Sequence, residues 1–303
     1  MSRPQLPKRI TIFEVGPRDG LQIEPDFIPT EKKIKLVNDL VAAGCPRVEV
    51  TSFVHPTWVP QLRDAEEVLK TIDRRPGVLY NALIPNVRGL ERAIAAGLRE
   101  VVTIMSASES HNRRNLNMSV EESLQQVQAI NAKAVEHGVK VRSYIGTSFG
   151  CPMEGEVPIE RVVEIASNLE RYGSYEISLG DTTGMANPKS AYEVCARVQE
   201  RLKSSAVAAH FHQAGGIEFA NILASMEAGI IILDSAAGGL GGCPYAPGAT
   251  GNIATERLVE MLTRMGIETG IDLEKIEECG RFARSLSAYS GDRASSSAPV
   301  DNA

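Results

Sequence analysis

Two histidines, His210 and His212, stand one residue apart at the end of a run that is otherwise Ala, Val and Phe. In an extended strand, positions i and i+2 share a face, so both imidazoles are expected to project together. Beside a carboxylate such as Asp19 and an amide oxygen such as Asn252, they would form a mixed nitrogen and oxygen metal site. That donor set suits an octahedral Mg²⁺ or Mn²⁺ better than a closed tetrahedral zinc. The same pair also reads as satisfied polar residues at the rim of a sheet. Arg18 and Asp19 lie in Gly16-Pro17-Arg18-Asp19-Gly20-Leu21-Gln22, which is either part of a site or a surface turn. Glu49 sits among apolar neighbours and needs a buried partner, for which Arg18 is the obvious candidate.

Asp181, after a β-branched run, is either a site carboxylate or a helix N-cap. The loop Ala237-Gly238-Gly239-Leu240-Gly241-Gly242-Cys243-Pro244 could cradle a phosphate. It also carries Cys243 at its tip, where a moving loop can bring a thiol over a bound substrate. Asn252 and Glu256 follow, at the start of the next helical stretch. No predicted strand carries a lysine near its C-terminal end; Lys140 falls at the start of the fifth. A Schiff-base aldolase is therefore disfavoured, which leaves metal-assisted carbon–carbon chemistry.

These residues need a scaffold that brings distant strand ends together. Short β-branched runs occur at Arg9–Val15, Arg47–Phe53, Val78–Ile84, Glu100–Met105, Val139–Ile145, Tyr175–Leu179, Ala206–Phe211 and Ile230–Leu233. Stretches of helical period separate them, including Thr30–Ala43 and Ser119–His137. Most end at a glycine (Gly44, Gly97, Gly138, Gly173, Gly229 or Gly266), the residue that accepts a left-handed backbone at no steric cost. Thr30 with Glu31, and Ser119 with Glu122, offer N-terminal caps. Eight alternating units predict a (β/α)₈ barrel rather than a doubly wound sheet, with the chemistry at the C-terminal ends of the strands. Residues 1–286 are expected to form that domain, and 287–303 a polar, mobile tail.

The 303 residues, 43% hydrophobic and 23% charged, exclude a disordered or collagen-like chain. A barrel of about 250 residues accommodates this length as one domain. A net charge of −6 argues against a general nucleic-acid binder. No apolar run approaches the ~18 residues of a membrane span. The five cysteines form no C-x-x-C pair, which excludes a zinc ribbon and a thioredoxin-type motif. Cys45, Cys195 and Cys279 are expected on helices as packing residues. The opening MSRPQLPKRI shows no secretory or transit pattern, so a reducing cytoplasm is expected.

At the residues quoted above the sequence resembles the metal-dependent lyases of the 3-hydroxy-3-methylglutaryl-CoA lyase family, within the DRE-type barrel superfamily. The likeness runs from about Thr11 to Glu278. It rests on EVGPRDGLQ, TSFVHPTWVPQL, FGCPMEG, YEISLGDTTG, HFH and GLGGCPYAPGATGNIATE. It implies that Asp19, His210, His212 and Asn252 bind Mg²⁺ or Mn²⁺, that Glu49 orients Arg18 toward an enolate-like charge, and that Cys243 donates a proton. The implied reaction is a retro-aldol (Claisen-type) cleavage of an acyl-CoA, with His210 or Asp181 as base, releasing acetyl-CoA and acetoacetate. Barrels of this kind often assemble, so a homodimer or larger homo-oligomer is expected.

Two departures stand out. The family's H-x-H-D-T-Y-G is replaced after His212 by Gln213-Ala214-Gly215-Gly216, and the tail reads Ala294-Ser295-Ser296-Ser297-Ala298 in place of a Ser-Ser-Lys pattern. A citramalyl-CoA lyase yielding acetyl-CoA and pyruvate shares every motif and is the alternative substrate reading. A catalytically silent CoA-ester-binding barrel and a synthase running the condensation are the alternatives of other kinds.

Overall fold

A computed structural model describes residues 6–242 and 251–288. Eight parallel strands close in sequence order: β1 (Thr11–Glu14), β2 (Arg47–Ser52), β3 (Leu79–Leu83), β4 (Glu100–Ser106), β5 (Lys140–Gly146), β6 (Glu176–Asp181), β7 (Ala206–Phe211) and β8 (Ile232–Ser235). Closure is made by β1 against β8, with Phe13 opposite Asp234 and Glu14 opposite Ser235. The outer helices are α1 (Thr30–Ala42), α2 (Ala65–Thr71), α3 (Val87–Ala95), α4 (Glu109–Leu116), α5 (Val120–Glu136), α6 (Ile159–Tyr172), α7 (Pro188–Arg201), α8 (Ile217–Glu227), α9 (Thr255–Arg264) and α10 (Leu273–Leu286). The expected (β/α)₈ barrel is thus the observed fold, with strand ends shifted by a few residues.

The six glycines expected to stop helices all have positive φ, between 62° and 107°. Gly173 caps α6 directly in the left-handed region. Ser119 and Glu122 form a reciprocal capping box on α5. Thr30 does not cap α1. Pro29, with φ −52° and ψ 138°, takes that position and Thr30 is the first helical residue, because proline's ring presets φ and its missing N–H is no loss there. Cys45 likewise lies beyond α1, in the turn to β2, while Cys195 and Cys279 are on α7 and α10; all three are buried.

The main apolar core fills the space between strands and helices. Inside the barrel a smaller cluster of Phe13, Val15, Val102, Tyr144 and Ala236 shares the lumen with buried charges. Arg47, at the start of β2, pairs with Glu176 at 2.7 Å and Glu100 at 3.3 Å. Arg142 on β5 also pairs with Glu176, and with Asp234 on β8 at 2.6 Å. Removing one member would strand a charge without solvent, a cost of about 3–5 kcal/mol. This ionic layer fixes the floor on which the upper strand ends stand.

Candidate active site

The turn after β1 folds back on one carbonyl: the amides of Arg18 and Asp19 donate to Val15 O at 3.1 and 2.8 Å. Both side chains are thereby delivered to the C-terminal mouth of the barrel. Arg18 is 3% exposed and donates through Nη1 to Asp19 Oδ1 at 2.7 Å and through Nη2 to Glu49 Oε2 at 2.8 Å. The pairing expected between Arg18 and Glu49 is therefore present, and the motif is not a surface turn. Burial pushes the Glu49 carboxyl up and Arg18 draws it back. Burial works the same way on Asp19, but Arg18, both histidines and the Asn252 amide together hold it below its ordinary value.

His210 and His212 are both buried, and their Nε2 atoms face each other at 3.1 Å. Asp19, His210 and His212 offer ligand atoms all within 4.8 Å of one another. Burial first, and then His210, pushes His212 down to about 3, so its ring stays neutral and keeps a lone pair to offer. Asn252 pairs with His212 through an isolated antiparallel bridge, and its Nδ2 donates to Asp19 Oδ2 at 2.7 Å. Its Oδ1 is buried without a hydrogen-bond partner, as is Nδ1 of His212. A reading of the histidines as satisfied rim residues does not fit that.

The donor set fits a hard divalent cation. Ligands about 2.1 Å from one six-coordinate ion lie about 3.0 Å apart when adjacent, close to the spacing of the two Nε2 atoms. The orphaned amide oxygen of Asn252 adds the oxygen that such an ion prefers. Backbone crowding holds this arrangement. At Gly241, where φ is 97°, a Cβ would meet Asn252 Nδ2 at 2.5 Å and Asp19 Oδ2 at 3.3 Å, so only glycine allows the loop to pass.

Asp181 ends β6, fully buried. Its Oδ1 accepts the Met185 and Ala186 amides at 2.9 and 3.1 Å, and its Oδ2 has no partner. It is not a helix N-cap, since Asn187 caps α7. Burial, opposed by those amides and by His210, lifts its carboxyl to about 6. Gln213 donates to the Asn252 carbonyl at 2.7 Å, a bond that an ionised acid in its place could not make. The glycine-rich loop is no phosphate cradle in its first turn. The amides of Ala237, Gly238 and Gly239 go to Glu14 (2.9 Å), Glu256 (3.0 Å) and the Ala236 carbonyl (2.9 Å). Glu256 also holds Arg284 at 2.5 Å, a structural tie to α10. Cys243 lies outside the described residues.

Four buried polar residues join the site that the sequence did not single out. Glu14 accepts from the Gly16 and Ala237 amides and the Thr255 hydroxyl at 2.8, 2.9 and 2.6 Å, and so ties the first loop to the last. Tyr144 sets its ring edge-on to His210, with centroids 5.7 Å apart. Arg142 and Asp234 lie directly below. A charge inside a buried strand is the signal that could have found Glu14, Arg142 and Asp234, as it singles out Glu49; Tyr144 carries no such signal.

The HMGL-like family model matches residues 9–282. The hydroxymethylglutaryl-CoA lyase YngG of Bacillus subtilis is 50% identical over 276 residues, covering 91% of this chain and 92% of that one. The mitochondrial hydroxymethylglutaryl-CoA lyase of Rattus norvegicus is 47% identical over 277 residues, covering 91% and 85%. A solved HMG-CoA lyase of Acinetobacter baumannii, in complex with coenzyme A and 3-methylmalate, superposes with a TM-score of 0.88 at 38% identity and covers 98% of this chain and 97% of that one. Family model, relatives and barrel agree over nearly the whole length, and the chain belongs to the HMGL-like family.

Proposed function

We propose that this chain is a divalent-metal-dependent carbon–carbon lyase that cleaves 3-hydroxy-3-methylglutaryl-CoA to acetyl-CoA and acetoacetate. The observation that carries the reading is the convergence of Asp19, His210 and His212 beside an Arg18 that Glu49 holds in place. Asp19, His210, His212 and Asn252 would hold the cation, Mg²⁺ or Mn²⁺. When bound, it would supply Lewis-acid polarisation of the substrate's hydroxyl and carbonyl oxygens.

The base is Asp181 rather than His210. His210 Nε2 faces His212 within the ligand cluster and would be spent on the cation, and its Nδ1 lies 3.3 Å from Asp234, whereas Asp181 Oδ2 is unpartnered. Asp181 takes the proton of the tertiary hydroxyl, the C2–C3 bond breaks, and the electron pair passes to the acetyl-CoA fragment as its enolate. Arg18 meets that charge with donors already oriented, so little reorganisation is needed during the reaction. Cys243 returns a proton to the carbanion. The described cysteines are buried and unpaired, in keeping with a cytoplasmic setting. A homodimer or larger homo-oligomer remains part of the proposal.

The test is a coupled assay offering racemic 3-hydroxy-3-methylglutaryl-CoA and citramalyl-CoA separately, with and without Mn²⁺. Acetoacetate released only with the cation is the expected result. Pyruvate from the second substrate alone would transfer the assignment to citramalyl-CoA, and no product from either would favour a silent barrel. His212→Ala is expected to weaken Mn²⁺ binding, read by calorimetry, by more than about 100-fold, since even partners behind a metal ligand contribute 10–100-fold. Unchanged affinity would remove His212 from the metal site.

A further inference from the structure

Behind His210 lies a continuous line of buried polar contacts that the proposed reaction does not use. His210 Nδ1 faces Asp234 Oδ2 at 3.3 Å. The same oxygen accepts the Ser178 hydroxyl at 3.0 Å, and Asp234 Oδ1 accepts from Arg142 Nη2 at 2.6 Å. Arg142 is 0% exposed and also donates to Glu176, which Arg47 Nη1 holds at 2.7 Å. Asp234 is 2% exposed. The line crosses the lumen from the start of β2 and β6, through β5 and β8, to the end of β7.

Its chemistry is directional. Arg142 has only donors, so it requires an acceptor, and Ser178 spends its hydroxyl proton on the same carboxylate. An ionised Asp234 can only accept, so the one hydrogen bond it can form with His210 is from a protonated Nδ1. Neutral imidazole carries one N–H, so placing it on Nδ1 leaves Nε2 as a bare lone pair. That lone pair is on the nitrogen that faces His212 Nε2 beside Asp19.

We propose that Asp234, fixed by Arg142 and Ser178, is a positioning residue that sets His210 in the Nδ1–H tautomer and thereby presents its Nε2 lone pair to the cation site. The inference rests on the metal reading for what the lone pair is for, but not for which nitrogen carries the proton. Replacement by asparagine should invert the tautomer rather than merely weaken it. Arg142 draws the amide oxygen to itself, the amide N–H₂ turns toward His210, and Nδ1 becomes the acceptor. The ring proton then moves to Nε2, where it blocks coordination. Ser178 loses its acceptor in the exchange, and its hydroxyl can rotate.

The experiment is ¹⁵N–¹H correlation on metal-free protein labelled at its 5 histidines, with His210 assigned by its loss in His210→Gln. Wild-type protein is expected to show Nδ1–H at His210, a measurement that needs no Asp234 variant to fold. Asp234→Asn is expected to show Nε2–H and to bind Mn²⁺ about 10–100-fold more weakly. An Nε2–H tautomer in the wild type, or an unchanged tautomer or unchanged Mn²⁺ affinity in Asp234→Asn, would overturn the proposal. Absence of Mn²⁺ binding by the wild type would overturn the metal reading instead, while the tautomer would still report whether Asp234 sets the ring.

Discussion

Replacing Arg18 by glutamine is expected to lower kcat by about 10²–10³-fold, the usual effect of removing one preorganised donor from a developing oxyanion. The guanidinium is held at two points, Asp19 at 2.7 Å and Glu49 at 2.8 Å, and its buried Nε is unpartnered. Such a group has little freedom left to lose when charge appears. If Arg18 acts only on that charge, kcat and kcat/KM fall together. Lysine should rescue poorly, because a single ammonium cannot reproduce a planar fork shared between two carboxylates.

The substitution also leaves Glu49, which is 0% exposed, without its cation. An uncompensated buried carboxylate costs about 3–5 kcal/mol or takes up a proton, so Arg18→Gln is expected to melt earlier. The double variant Arg18→Gln/Glu49→Gln separates the two effects. Thermal stability should return while the rate stays low. A double variant that regains both would make Arg18 a structural residue, and full activity in the single variant would remove it from the reaction.

The barrel was legible because each unit announces itself locally. β2 is buried along all six residues and announces itself by its β-branched Val48, Val50 and Thr51; α5 opens on Ser119 with Glu122 and stops before Gly138. The metal donors were legible for a different reason: two histidines at strand spacing are rare in an apolar run. What could not be read was partnership across the closed sheet. Arg47 and Glu176 are separated by 129 positions, and Arg142 and Asp234 by 92, so neither pair leaves a trace in any window of sequence. Only closure makes those charges neighbours. The partners of Glu14 are hidden for the same reason, since Ala237 and Thr255 lie at the other end of the chain. Asp181 was ambiguous because a short carboxylate at a strand end can cap either a helix or a loop. The structure resolves it through the two amides it accepts and the oxygen it leaves over.

That leftover oxygen sets the second large effect. A base must be ionised to work, and burial lifts the Asp181 carboxyl to about 6. Activity is therefore expected to fall as pH drops through about 6, tenfold per unit below it, and Asp181→Asn should remove about 10²–10⁴ of the rate together with that limb. Stability moves the other way. The folded carboxyl binds its proton more tightly than the unfolded one, whose value is 3.8, so its contribution is intact below that value and lost as pH rises through about 6. The difference, at 1.36 kcal/mol per unit, is about 3 kcal/mol of stability forgone at neutral pH. Asparagine keeps the oxygen that accepts the Met185 and Ala186 amides but carries no charge to bury. Asp181→Asn is thus expected to be inactive yet more stable than the wild type at pH 8, with the gain vanishing near pH 4. Urea titrations at the two pH values, alongside kcat profiles from pH 5 to 8, measure both. A variant that is destabilised while retaining its rate would make Asp181 a loop clamp, and the base would have to be sought elsewhere. The combination of lost rate and gained stability has one physical source, a carboxylate kept ionised at a cost because the reaction needs it charged.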